Sequence, residues 1–289
     1  MAEKVVEITV VSAFTTEHEN SGNKAGIIFQ EKLSAREMQN AAHQLGFSET
    51  VFITCNEKNQ LQFRYFTPVC EVPLCGHATI ATAAFLAKKP EIHFPLEAIT
   101  NAGKIKIYRE QEIFFMEQPL PIFGKIIESS LLTESLNTES EILRYSSLQP
   151  QIVSTGLPDL IIPVSTEHHL DEIEPNFPKI SQFSETEKIV GYHLFAISKD
   201  KNITASCRNF APLYGINEES ATGTASGALA CYLFQNGIKS DKYIFEQGKK
   251  MGKPSQIFVR IRSAHQRVTS VLVGGKAKIA ETNKIIIHT

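Results

Sequence analysis

Residues Ala78 to Ala87 read Ala-Thr-Ile-Ala-Thr-Ala-Ala-Phe-Leu-Ala, a run in which every side chain is small or apolar. A helix of that composition has no polar face to offer water, so it must be enclosed on all sides. Pro68 and Pro73 exclude a helix in the segment before it, so the helix begins near Cys75-Gly76-His77. A buried helix whose polar groups stand only at its N-terminus suits an anion or a reactive group there. Its first N–H groups lack helical partners, and its dipole favours negative charge.

The same pattern recurs half a chain later. Arg64-Tyr-Phe66-Thr-Pro68 matches Arg208-Asn-Phe210-Ala-Pro212, and Cys75-Gly76-His77-Ala78-Thr79 matches Thr222-Gly223-Thr224-Ala225-Ser226. Both run on into small-residue helices. The repeat predicts two similar domains, each a set of strands wrapped round one buried helix. If the domains face one another, both helix N-termini can grip one carboxylate. Close-packed core is the plainer reading of two such helices, but it leaves the repeated turn before each helix unexplained.

The rest of the chain is strand-rich. Alternation predicts strands at residues 5–14, 51–54 and 61–66, at 99–108 and 112–117, and at 160–164, 193–198 and 202–207, with a strand-turn-strand tail from Tyr243. Ser34 and Glu37 form a capping box for a helix over 35–45 that Gly46 ends. Further helices are expected near Thr138–Tyr145 and over 180–190. Gly22-Asn23 suits a backbone with positive φ. Many strands, few helices and no regular β-α-β alternation give the α+β class. The expected domains are 1–122 and 123–289, with a last strand near 280–289 pairing back to the first.

Composition excludes several functions. A net charge of −2 without long runs of one sign gives no footprint for nucleic acid or an anionic membrane. No stretch approaches the ~18 apolar residues of a membrane span. The five cysteines include no C-x-x-C pair, which argues against a disulfide framework or structural zinc. Free thiols and the absence of a secretion signal at the N-terminus predict the cytoplasm. No glycine-rich phosphate loop seats a nucleotide.

Four places carry candidate chemistry. Glu49, enclosed by Phe47, Val51 and Phe52, is either a general acid/base with a raised pKa or a solvated loop carboxylate. His77 at the helix head is either a neutral hydrogen-bonding or proton-shuttling group or a structural histidine. Cys75 stands where a thiolate is stabilised. Its counterpart is Thr222, though, so a two-thiol racemase lacks one thiol, and a packing role is favoured. Glu218 and Glu219 are either a second acid/base opposite Glu49 or acids placed favourably for the helix dipole. No metal-ligand spacing joins these residues.

The blocks AFTTEHENSGNKAGII, FSETVFI, RYFTPVCEVPLCGHATIATA, VSTGLPDL, RNFAPLYGINEESATGTASGAL and EQGKKMGKPS resemble the phenazine-biosynthesis PhzF-like family, which shares its fold with diaminopimelate epimerase. The resemblance runs nearly end to end. It implies two pseudosymmetric domains, each a β-barrel-like roll around a central helix, with the active site in the cleft between them. It implies Glu49 as general acid/base, moving a proton on a small carboxylic acid, assisted by His77 and Glu219. Asn23, Cys75, Gly76, Thr222, Gly223 and Thr224 would bind the substrate. No metal or organic cofactor is implied, and a homodimer is. The family's Glu-Asp-Pro-Ala-Thr-Gly is here Glu218-Glu219-Ser220-Ala221-Thr222-Gly223, so the acid beside the second helix is longer by one methylene, and positioning matters steeply in catalysis. Lys24 stands where the family has Pro; it either favours an anionic substrate or points to water. The readings are a cofactor-independent isomerase, an amino-acid racemase or epimerase with two opposed bases, or a scaffold binding a small acid or a protein partner with weakened catalysis.

Overall fold

The structure, a computed structural model, describes residues 3–30, 33–56 and 60–288. In chain order the first elements are β1 (Glu3–Ala13), β2 (Asn23–Phe29), α1 (Ala35–Leu45), β3 (Glu49–Cys55), β4 (Leu61–Phe66), β5 (Glu71–Val72), α2 (Gly76–Leu86), β6 (Leu96–Thr100), β7 (Gly103–Glu110) and β8 (Ile113–Gln118). There follow β9 (Ile122–Ile126), α3 (Thr133–Leu136), β10 (Gln151–Ser154), β11 (Pro158–Pro163), α4 (Glu167–Glu172), α5 (Phe177–Glu187), β12 (Tyr192–Ile197), β13 (Ala205–Ala211), β14 (Ile216–Glu219), α6 (Gly223–Gln235), β15 (Lys242–Gln247), β16 (Ser255–Ala264) and β17 (Arg267–His288). Contacts divide them into unit 1, the described residues up to Glu17 with Ser21–Glu117 and those from Gly274 on, and unit 2, built on Gln118–Val273. The chain returns to unit 1 at Gly274, earlier than the expected 280.

In unit 1, β1 pairs antiparallel with β2, β2 parallel with β3, β3 antiparallel with β4, and β4 parallel with β6. β7 and β8 follow antiparallel, and β17 pairs with both β8 and β1, closing an eight-stranded barrel. Closure leaves no unpaired sheet edge. Unit 2 repeats the same steps. β10–β11 is antiparallel, β11–β12 parallel, β12–β13 antiparallel, β13–β15 parallel and β15–β16 antiparallel. Short strands β5 and β14 pair with β4 and β13, and the buried helix follows each of them. This is the α+β architecture of barrel-like rolls round a central helix.

Strand alternation sorts side chains between two layers in each unit. In unit 1, Ile28, Phe52 and Phe66 face out beneath α1, joining Met38, Ala41 and Ala42 in one cluster. Ser34 accepts the Glu37 N–H, Glu37 returns the bond to the Ser34 N–H, and Gly46 closes α1 at φ +66°, as the capping box predicts. The alternate residues Ile27, Val51 and Tyr65 face in, and Tyr65 Oη meets Thr79 Oγ1 on α2 at 2.7 Å. Every residue of α2 but Gly76 and Phe85 is buried. Full burial of Ile80 and Leu86 contributes about 2 kcal/mol each. Unit 2 repeats the layering. Leu160, Ile162, Tyr192, Leu194 and Phe210 cluster outward with Ile180 of α5, leaving Asp159, Ile161, His193 and Asn209 on the α6 side.

Three local expectations need correction. The strand expected over 99–108 breaks at Asn101-Ala102, because Thr100 Oγ1 accepts the Ala102 N–H and donates to the Gly103 carbonyl, and Gly103 takes φ +110°. No helix forms over 138–145. Asn137 turns left-handed at φ 46°, single turns hold Ile142 and Leu143, and the Ile142 carbonyl is taken by the Ser165 N–H. The strand expected from 202 starts at Ala205, since Asp200 Oδ1 folds residues 200–202 into a turn by accepting the Asn202 N–H. Among the described residues no helix is long and apolar enough to cross a membrane.

Candidate active site

The head of α2 brings several polar side chains of unit 1 together. Glu49 opens β3 on that face, and Asn23 opens β2 two residues before Ala25, the register partner of Glu49. Cys75 is the N-cap of α2, but its side chain makes no capping bond. Glu49 is 7% exposed and His77 2%, so the group is nearly dry. His77 Nε2 lies 3.2 Å from Glu49 Oε2 and 3.4 Å from Ser48 Oγ. His77 Nδ1 lies 3.3 Å from Asn23 Nδ2 and 3.3 Å from Cys75 Sγ. With the Asn23 amide donating to Nδ1, the ring proton sits on Nε2, whose hydrogen-bond partner is Ser48 Oγ and which has Glu49 Oε2 at ion-pair distance. The structure thus brings Glu49, His77, Asn23, Cys75 and Gly76 to one place. Lys24, the next residue on β2, is exposed.

Sequence spacing shows no metal site here, yet the fold gathers donor atoms of Glu49, Cys75 and His77 within 4.8 Å of one another. Thiolate, imidazole and carboxylate would suit Zn²⁺. The positive end of α2 at the same spot works against a cation and for an anion.

At the head of α6 the expected residues divide. Glu218 is structural. Arg208 Nε and Nη2 fork onto its two oxygens at 2.8 and 2.9 Å, with Arg208 only 4% exposed. Arg64 and Glu71 make the same fork in unit 1, both bonds at 2.7 Å. The repeated arginine therefore ties the strand before each buried helix to the short strand that follows it. Glu219 Oε2 accepts from Thr222 Oγ1 at 2.7 Å, so the longer acid folds back to the N-cap of α6. Gln247 locks this turn. Its Oε1 accepts the Thr222 N–H, and its Nε2 donates to the Glu219 carbonyl and to Thr222 Oγ1. Thr79 and Ser226, matched in the repeat, each donate to the carbonyl of their own N-cap, Cys75 and Thr222.

The sequence reading passed over Ser48, Gln247 and the buried polar side chains of unit 2. Asp159, 1% exposed, has its pKa pushed up to about 8 by burial, with the Glu219 carboxylate adding to the rise. His193, fully buried, is held down to about 4 by desolvation. A lone Asp in an apolar strand was the available signal for the first; Gln247 gives none.

The sequence profile of the phenazine biosynthesis-like protein family (PhzC-PhzF) matches residues 11–283. An uncharacterized isomerase of Clostridium acetobutylicum is 33% identical over 96% of this chain and 97% of its own length. An uncharacterized isomerase of Escherichia coli is 31% identical over 93% and 94%. Among solved structures, a PhzF-family phenazine biosynthesis protein of Bacillus anthracis superposes with a TM-score of 0.88 at 27% identity, over 98% of this chain and 99% of that one. A hydroxyproline epimerase of Agrobacterium vitis, solved with bound trans-4-hydroxy-L-proline, shares the fold alone, with a TM-score of 0.61 at 11% identity over 99% and 92% of the chains.

Proposed function

Starting from its membership of the phenazine biosynthesis-like family, we propose that this chain is an isomerase that moves a proton at carbon of a small carboxylic acid, using Glu49 as acid/base without an organic cofactor. The observation that carries this reading is the buried Glu49 carboxylate 3.2 Å from His77 Nε2 at the head of α2. The α2 N–H groups near Gly76 bind the substrate carboxylate, aided by the dipole. The analogous head of α6, Thr222–Thr224, is the same kind of anion-seeking end in unit 2. Glu49 then takes a proton from carbon and returns it elsewhere on the substrate. His77, at ion-pair distance from Glu49 Oε2, positions the carboxylate, and Asn23 fixes the tautomer of His77. Glu219, tied to Thr222, orders the head of α6.

The test is incubation in D₂O with a panel of amino acids, cyclic hydroxy- and amino-acids and 4-hydroxyproline, following deuterium at carbon. Label with a shifted double bond supports the isomerase, and label with inversion supports an epimerase. Binding without label in any member would leave only a small-acid-binding scaffold.

A further inference from the structure

Unit 2 holds a cavity of about 260 Å³ lined by residues of α4, β13, the end of β15 and the turn after it. Its volume lies just under the ~300–1,000 Å³ of small-molecule sites, so it suits a small ligand. None of the residues assigned above to proton transfer lines it. On the sheet side the wall is β13. Arg208 gives Nε and Nη2 to Glu218 and Nη1 to the Leu170 and Ile173 carbonyls, which ties the end of α4 to the sheet. Beside it Cys207 is buried, and burial pushes its thiol pKa up, so this part of the wall carries no thiolate. With Leu170 it gives the cavity an apolar side.

The opposite wall is the turn after β15. Gly248 takes φ +80°, and a Cβ there would lie 2.3 Å from the Lys253 carbonyl oxygen. The Gly248 carbonyl accepts the Met251 and Lys253 N–H groups, and the Lys249 carbonyl accepts the Gly252 N–H. Lys249 and Lys250 therefore stand on a closed, hydrogen-bonded turn. Strand alternation puts Glu246 and Gln247 on opposite sides of β15. Gln247 locks the head of α6, while Glu246 lines the cavity with the two lysines.

Two charges on this lining lack an opposite one. Glu167, half-buried, accepts from Ser206 Oγ at 2.6 Å and from the Lys199 N–H at 3.3 Å, and makes no ion pair among the described residues. Burial raises its pKa, but the hydrogen bonds from Ser206 and Lys199 lower it below the ordinary value, so it stays a carboxylate. Lys250 Nζ donates to the Asp171 carbonyl and meets no carboxylate among the described residues. Two of its three donors remain. Glu246 and Lys249 pair with one another, and such a pair contributes at most ~1 kcal/mol, so it does not hold either group back from a ligand. Asp171 is exposed to solvent. A cation alone in the cavity would leave Lys250 unmatched, and an anion alone would leave Glu167 so. We propose that this cavity binds a small apolar α-amino acid, its ammonium at Glu167, its carboxylate at Lys250 and its side chain against Leu170 and Cys207. Binding is non-covalent, and the site is built without Glu49 or any other residue at the head of α2.

The experiment is carbon NMR on the full chain carrying ¹³Cβ-cysteine. Cys207→Ala, or Cys207→Ser should the first not fold, assigns the reporter of the cavity, and Cys75→Ala assigns that of the α2 head. Added L-valine should move the Cys207 resonance saturably. Isobutylamine is valine without its carboxylate, and isovalerate is valine without its ammonium. Each should bind at least ~10-fold more weakly than valine, having lost the hydrogen bonds of one charged group. Glu167→Gln, which keeps an acceptor for Ser206, and Lys250→Gln should each weaken valine by ~10-fold or more. A Cys207 resonance unmoved by valine up to its solubility limit overturns the proposal. So does either half-molecule binding as tightly as valine, or a valine affinity unchanged in either variant. Valine entering the α2 head shows separately, as a shift of Cys75; that shift without one at Cys207 overturns the cavity site and leaves the Glu49 reading standing.

Discussion

The two units share a frame and differ in what lines it. Each has an Arg–Glu fork before its buried helix and a hydroxyl bonded back to the N-cap carbonyl. Beside Glu49, the register partner of Ala25, the row facing α2 reads Ala25, Ile27, Val51, Tyr65 and Val72, whose one polar side-chain group, the Tyr65 hydroxyl, Thr79 satisfies. The row facing α6 reads Asp159, Ile161, His193, Asn209 and Glu219. Frame residues can repeat because the same bonds hold the same backbone in both halves. The inner face can diverge because it is set one side chain at a time, so unit 2 places His193 and Asn209 where unit 1 has Val51 and Tyr65.

This comparison can be broken at several points. The largest stability loss is expected for Gly191→Ala, whose Cβ meets backbone rather than a flexible side chain. A loss of about 3 kcal/mol or more, or failure to fold, should appear in urea unfolding; a neutral variant would show that the backbone at Gly191 has room for a side chain. Arg208→Ala should cost about 3–5 kcal/mol, because it strands Glu218 and also frees the Leu170 and Ile173 carbonyls that Arg208 Nη1 serves. Its twin Arg64→Ala, in a fork about a quarter exposed, should cost about 1–2 kcal/mol by the same measurement. Equal losses would show that the two forks are equivalent after all.

A smaller effect follows from the buried acid. The folded pKa of Asp159, about 8, lies above its unfolded value, so the native state binds more protons and stability falls as pH rises toward 8. His193, folded near 4, works the other way, but only below its unfolded value of ~6.5. Of these two groups, only Asp159 acts between about pH 6.5 and 8. Wild type should lose stability over that window, by on the order of 1–2 kcal/mol, and Asp159→Asn should not. Parallel unfolding curves for the two proteins at pH 6.5 and 8 would show that the carboxyl is not held protonated. The smallest effect is Ser34→Ala, which removes the α1 capping box that unit 2 lacks, at about 1 kcal/mol.

Much of the frame was legible in the sequence. The apolar helix, the Arg-x-Phe-x-Pro repeat and the capping box are local patterns, and local patterns survive without a structure. Glu49 and His77 were legible as candidates because each adjoins such a pattern. The polar row of unit 2 was not, since each member is a single polar residue in its own apolar strand and only the registers bring them together. Glu218 was misleading for the same reason. Beside Glu219 it looks like a second acid, but its partner Arg208 lies on the neighbouring strand. The helix expected over 138–145 failed because an amphipathic spacing does not show that the Ile142 carbonyl is claimed by Ser165.

The central claim is that the carboxylate at the head of α2 carries the proton. It is tested most directly by the rate of deuterium entry at carbon in Glu49→Gln against wild type, on any panel compound that wild type labels, with circular dichroism confirming the fold. A loss of ~10²–10⁴-fold with the fold intact is the predicted result. Exchange within a few-fold of wild type would contradict it.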